Sequence, residues 1–201
     1  MQSPLYWSPG FYSFIMKRLY GSYYSKRYSA IAQIIPDNCS LFELCMGDLY
    51  FYKHYLKKKN INYSCADINP IFVNAAKKEG INAVLIDILK DEIPNSDYIL
   101  LQGSLYHSIP HQKELVKKIL GSTGKQLIIS ENVLNISNSS NHFKAWLGGT
   151  FSKAKAGQSK IKFTRETLKE SFKDFEKEIL QWIETPDNLE TIIVLEKKSG
   201  S

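Results

Sequence analysis

The chain has 201 residues, 43% of them hydrophobic and 23% charged, and its 26 Lys and Arg against 20 Asp and Glu give a formal charge of +6. That length suits one domain with a single core and an appended cap, and no apolar run approaches the ~20 residues that span a bilayer. Pro4, Pro9 and Gly10 interrupt the aromatic N-terminal stretch where an export signal has an unbroken apolar core, so the protein is expected in the cytoplasm.

The basic runs, such as Lys57-Lys58-Lys59, are short, and no recognition-helix or single-strand-binding pattern accompanies them. This argues against a nucleic-acid partner and for solvated faces. Cys39, Cys45 and Cys65 are an odd number without an export signal, so disulfide stapling is not expected. Cys45 and Cys65 fall at apolar strand positions, where cysteine acts as a small filler.

In chain order, residues 1 to 12 mix aromatics with turn formers. Ser13 is a fair N-cap for a helix to Tyr20, and Gly21 ends or bends it. A second helix places Tyr28, Ile31, Ala32 and Ile35 at helical spacing until Pro36 stops it. The aromatics here either pack on the sheet or face a ligand. A third reading, an interfacial membrane helix, follows from the alternation of aromatic and basic residues.

The apolar run Leu41 to Cys45, the single Gly47, the spacing of Leu49, Tyr52 and Leu56, and a second run ending on Asp67 read as strand, tight turn, helix, strand. Such a unit sets backbone N–H groups and the positive end of a helix dipole at the carboxyl edge of a parallel sheet, where a ligand belongs. Asp67 then stands where nucleotide-binding α/β folds hydrogen-bond a ribose diol. Asn69 caps a helix that opens with Pro70 and ends at Gly80.

Strand three follows to Asp87, and strand four, Tyr98 to Gln102, is continuously apolar, as a strand covered on both faces should be. A helix from Gln112 to Leu120 leads to strand five, Gln126 to Glu131. From Asn132 to Phe163 the pattern dissolves into Ser, Asn, Gly and Lys, too long for an ordinary connection, and reads as a lid. Thr164 caps a helix with Leu168, Phe172 and Phe175 inward. Ile179 to Ile183 and Thr191 to Leu195 flank a turn at Pro186-Asp187-Asn188 and read as a hairpin before the tail Ser199-Gly200-Ser201.

Glu43-Leu44-Cys45-Met46-Gly47-Asp48-Leu49 resembles the first motif of class I S-adenosylmethionine-dependent methyltransferases, acidic-x-Gly-x-Gly-x-Gly, with Cys45 and Leu49 in place of the outer glycines. Asp67-Ile68-Asn69-Pro70 resembles that family's ribose-binding segment. Ala83 to Ile88 resembles its third strand, and Asp97 to His107 its fourth strand with the loop beside the transferable methyl. The resemblance runs from about Ile31 to the C-terminus, and the final hairpin is similar to the family's antiparallel ending, whereas a dinucleotide dehydrogenase continues with a parallel strand.

The resemblance implies an α/β fold: a doubly wound, seven-stranded, mostly parallel sheet with an antiparallel C-terminal hairpin and an N-terminal helical lid. One domain would comprise the lid (1–36), the cofactor-binding core (40–131), a substrate lid (132–163) and the C-terminal helix and hairpin (164–198). It implies S-adenosylmethionine as cofactor. Glu43 would support the first loop or the methionine amino group, with Cys45 beside it, and Gly47 would admit the cofactor. Asp67 and Ile68 would hold the ribose, Asp87 and Ile88 would frame adenine, and Gln102 and Gly103 would meet the methionine end. Arg27 and Tyr28 are placed to take a cofactor carboxylate. Tyr6, Tyr12 and Tyr28, with His142 and Trp146 from the second lid, would line the substrate pocket.

Methyl transfer is an in-line displacement that needs a base only when the acceptor arrives protonated. His107 is the candidate base, with Tyr106 beside it as base or pocket wall. His107 and His111 stand four apart, but Pro110 intervenes and no third ligand is evident, so no metal is expected. No Gly-x-Ser-x-Gly elbow marks a hydrolase. Gln102-Gly103-Ser104-Leu105 replaces the Asn/Asp-Pro-Pro-Tyr/Phe sequence of base-amine methyltransferases, which favours an oxygen or nitrogen of a small molecule. An RNA or protein acceptor, an inactive cofactor-binding protein and a nicotinamide enzyme are the alternatives. The sequence leaves the oligomeric state open.

Overall fold

A computed structural model of the chain describes residues 8–20, 22–133, 163–185 and 190–198, with only the backbone described at 9, 19, 20 and 22–26. Its elements are α1 (Pro9–Tyr20), α2 (Ser22–Ile34), β1 (Ser40–Leu44), β2 (Asn62–Asp67), α3 (Pro70–Lys78), β3 (Asn82–Leu85), β4 (Ser96–Gln102), α4 (Gln112–Gly121), β5 (Thr123–Asn132), α5 (Arg165–Ser171), β6 (Ile179–Glu184) and β7 (Glu190–Glu196). The seven strands form one sheet in the order β3-β2-β1-β4-β5-β7-β6. β1 to β5 pair in parallel, and β7 inserts antiparallel between β5 and β6.

Strand alternation sorts the apolar residues into two layers. Leu41, Leu100, Ile128 and Val194 meet Tyr28 and Ile31 of α2 and Phe72, Val73 and Ala76 of α3. Phe42, Leu101, Ile129 and Ile193 meet Leu115, Val116 and Ile119 of α4 and Leu168 of α5. With helices on both faces the central strands are covered on both sides, which explains the continuous apolar run of β4. Burying each Leu or Ile of these layers stabilises by roughly 2 kcal/mol.

Local chemistry sets the boundaries. Asn69 Oδ1 accepts Ile71 N–H at 3.0 Å and Pro70 opens α3, as its sequence implies. Thr164 and Thr167 form a reciprocal capping box at α5. α1 begins at Pro9, five residues earlier than the Ser13 cap predicts, because the Ser8 carbonyl accepts Tyr12 N–H at 3.0 Å and Pro9 takes the first helical position. After β1 the chain forms a short π-helical turn over Tyr52–Leu56 within the expected helical stretch, its Lys57 N–H reaching the Tyr52 carbonyl at 2.8 Å. β3 stops at Leu85, two residues short of Asp87, since the Asp87 side chain instead organises a turn: its Oδ1 accepts Leu89 N–H at 3.1 Å.

Candidate functional site

The carboxyl ends of β1, β2, β4 and β5 gather the polar groups that the apolar layers exclude. The loop after β1 turns sharply through three left-handed residues: Cys45 at φ +56°, Gly47 at +59° and Leu49 at +63°. These are the three glycine positions of the resembling motif, so the backbone takes a glycine-type course although two side chains oppose it, at about 1–2 kcal/mol each. Leu49 helps hold this course by burial, being 2% exposed.

Asp67 ties the loop to the end of β2. Its Oδ2 accepts Gly47 N–H at 3.0 Å and its Oδ1 accepts Asn69 N–H at 2.8 Å. Burial raises its pKa, against those backbone hydrogen bonds. A carboxylate has about four acceptor directions, so capacity remains for a diol. Ile68, beside it, is 40% exposed.

α1 covers this loop. A Cβ on Gly47 would lie 3.7 Å from Tyr12 Cε1, which places the Tyr12 ring over the glycine. Ser13 donates its hydroxyl hydrogen to Asp48 Oδ2, and Asp48 Oδ1 accepts Tyr50 N–H at 3.1 Å. Tyr28 lies deeper, stacked on Phe51 at 5.3 Å in the first apolar layer. Its ring is core packing here rather than an open pocket wall.

Alternation puts Glu43 of β1, Tyr63 of β2 and Gln102 of β4 on one face of the sheet. Tyr63 Oη–H donates to Glu43 Oε2 at 2.5 Å and Gln102 Nε2–H to Oε1 at 2.9 Å. Burial pushes the Glu43 carboxyl up to about 7 against both bonds, with Asp48 raising it further and Arg27 lowering it. Gln102 Oε1 is buried without a partner. Beside them Arg27 pairs with Glu190 at 3.5 Å, and Glu190 also accepts the Ser130 hydroxyl. Arg27 therefore has a protein carboxylate as its partner.

On the opposite face Glu131, the last residue but one of β5, is 1% exposed. Its Oε2 accepts Leu105 N–H at 2.8 Å, and the Tyr106 backbone amide also bonds to it. Burial pushes this carboxyl up to about 7, Asn132 and Leu105 amides opposing and Glu190 adding to the rise. The held loop is a short turn, Leu105–Ser108, in which the Tyr106 and His107 rings lie 3.9 Å apart. Gly103 precedes it at φ +53°, donating N–H to the Ser130 carbonyl at 2.8 Å, and a Cβ there would meet nothing within 4 Å.

Asp87 lies at the same sheet edge but spends Oδ2 on Lys90 at 3.3 Å and Oδ1 on its own turn. The Ile88 carbonyl accepts Lys118 Nζ–H at 3.0 Å, and its side chain packs on the second layer. Burial drives the Cys45 thiol up to about 12, with Asp67 adding, so it is a thiol rather than a nucleophile. Tyr6, His142 and Trp146 lie outside the described residues, as does most of the second lid. Among the described residues no group of three His, Cys, Asp or Glu could hold a metal ion, and no helix is long and apolar enough to cross a membrane. Sequence reasoning missed Glu131; an acid directly after a buried apolar strand was the available signal, though its amide partners are remote in sequence.

No family model matches the sequence, nor does any curated protein. Solved structures do match. An O-methyltransferase family 2 protein from Planctomyces limnophilus, in complex with apigenin, superposes with a TM-score of 0.60 at 18% identity, covering 85% of this chain and 56% of its own. Human N-acetylserotonin methyltransferase, in complex with SAM, gives 0.64 at 16% identity over 97% of this chain and 58% of its own. The chain has the class I methyltransferase fold. It spans little more than half the length of those two methyltransferases. The cyclase SpnF shares the fold too, with a TM-score of 0.63 at 13% identity over 87% of this chain and 81% of its own. A methyltransferase fold therefore fixes the architecture, and the site must supply the chemistry.

Proposed function

We propose that this chain is an S-adenosylmethionine-dependent methyltransferase that moves a methyl group to an oxygen or nitrogen of a small molecule, working as one domain with α1 and α2 as a lid. The carrying observation is Asp67, held by Gly47 and Asn69 amides at the end of β2 beside a left-handed loop. That arrangement suits a ribose diol. Ile68 offers apolar area next to it, and the orphaned Gln102 Oε1 is an acceptor suited to an ammonium.

The bound cofactor would supply an electrophilic methyl on sulfur. The chain's own task is then positioning: Asp67 orients, Gly103 leaves room, and Tyr12, over Gly47, would exclude water from the loop. His107, carried on the turn that Glu131 holds, is the group that would take a proton from an acceptor, with Tyr106 as its wall. An O-methyltransferase in complex with apigenin and an N-acetylserotonin methyltransferase among the structural neighbours support a small acceptor.

Titration calorimetry with S-adenosylmethionine and S-adenosylhomocysteine, with NADH as control, tests the reading. Adenosyl ligands should bind in the micromolar range, and Asp67→Ala should weaken them at least about 100-fold, roughly 3 kcal/mol. Asp67→Asn, which keeps one acceptor oxygen, controls for folding and should weaken them less. Binding of NADH alone sinks the proposal; adenosyl binding without transfer to any acceptor in a screen favours a non-catalytic binding protein.

A further inference from the structure

The outward stripe of α1 is unlike that of an ordinary surface helix. Residues 10, 11, 14, 17 and 18 are exposed, whereas Tyr12, Ser13, Ile15 and Met16 are partly covered, with Tyr12 and Met16 packed on the first apolar layer. Phe11, Phe14 and Arg18 stand at i, i+3 and i+7, on one line of the helix, and Lys17 flanks them. Phe11 is 50% exposed and Phe14 62%. A water-facing helix normally puts polar residues there.

The charge is equally one-sided. No Asp or Glu precedes Asp37, while Lys17, Arg18, Lys26 and Arg27 do; of these Arg27 is covered and paired with Glu190, which leaves Lys17 and Arg18 as the exposed cations of α1. Lys17 Nζ sits 4.7 Å over the Tyr50 ring, and Asp48, the carboxylate that α1 touches, is taken by Ser13. Exposed Lys57 and Lys58 follow the π-helical turn that packs against α2.

We propose that α1 docks on an anionic lipid bilayer, Phe11 and Phe14 entering the interfacial layer while Arg18 and Lys17 meet lipid phosphates. Aromatic side chains gain by leaving water at that depth, and each basic residue near an anionic leaflet adds attraction. Charge complementarity selects this occupant. A second copy of the chain would bring the same basic stripe and a like charge of +6. The proposal stands apart from the methyl-transfer reading, because these residues belong to neither the cofactor nor the acceptor site.

The test is co-sedimentation of the full chain with vesicles of phosphatidylcholine and phosphatidylglycerol in equal parts, against vesicles of phosphatidylcholine alone. Binding to the anionic vesicles should be at least about tenfold tighter and should weaken with added salt. The double variant Phe11→Ser/Phe14→Ser should lose about tenfold, and Arg18→Glu at least about fivefold. Equal binding to both vesicle types, or binding unchanged in Arg18→Glu, overturns the proposal even if the double variant fails to fold. So does self-association in sedimentation velocity that the double variant abolishes, since the stripe would then face a second copy.

Discussion

The loop after β1 and the loop after β4 leave the same sheet edge, yet they are held by different means. The first runs through left-handed Cys45 and Leu49 and is pinned by Asp67 from the neighbouring strand and by Ser13 from α1. The second places its left-handed turn at Gly103, where it costs no side-chain clash, and hangs its amides on one buried carboxylate, Glu131. Strain compensated by packing therefore stands beside an unstrained loop compensated by a buried acid. Both devices cost stability locally, which is common where a fold preorganises a site.

The largest expected effect separates the two acids by pH. Glu43 and Glu131 both hold protons up to about 7, against an ordinary value of 4.5. A raised acid keeps its proton in the folded state after the unfolded chain has lost it, so stability falls as pH rises from about 4.5 to about 7. Each group contributes on the order of 3 kcal/mol to that fall. Thermal unfolding should give a higher midpoint at pH 5 than at pH 8. Glu131→Gln should flatten the dependence by about half, and a profile that rises instead would contradict the raised pKa of Glu43 in the sheet and of Glu131 under the second loop.

Packing of the strained loop comes next. Leu49→Ala keeps the left-handed backbone and deletes a side chain that is 2% exposed, so chemical denaturation should show a loss of about 3 kcal/mol. In the unstrained loop the corresponding change is Glu131→Ala, which leaves Leu105 N–H buried without an acceptor and should cost about 2 kcal/mol. An equal loss in both would mean that the loops are held alike.

What the sequence made legible is what neighbouring residues decide. Asn69-Pro70 announces its own helix start, and the apolar run of β4 announces a strand covered on both faces. Asp67 was legible because a strand-ending acid has a set place in this kind of fold. Glu131 and Glu190 acquire their meaning from Leu105, Arg27 and Ser130, partners that the topology brings from far along the chain. Tyr28 reads as a pocket residue by its place in the lid and becomes core only because Phe51 and Tyr50 fold beneath it. The glycine motif carries Cys45 and Leu49 in place of its outer glycines, yet its backbone angles at those positions are the ones glycine favours.

The smallest effect tests that last point. Cys45 stands at the first glycine position of the motif and holds φ at +56°. Cys45→Ala removes the thiol and keeps the strained backbone; Cys45→Gly removes the thiol and relieves the strain. The Gly variant should therefore be more stable than the Ala variant by about 1 kcal/mol, the left-handed penalty less the entropy that glycine adds to the unfolded chain. Paired denaturation curves measure the difference directly. If Ala proved the more stable, the loop would relax out of the left-handed region once the thiol was gone, and packing of the thiol, rather than the pull of Asp67 on Gly47, would be what bends it.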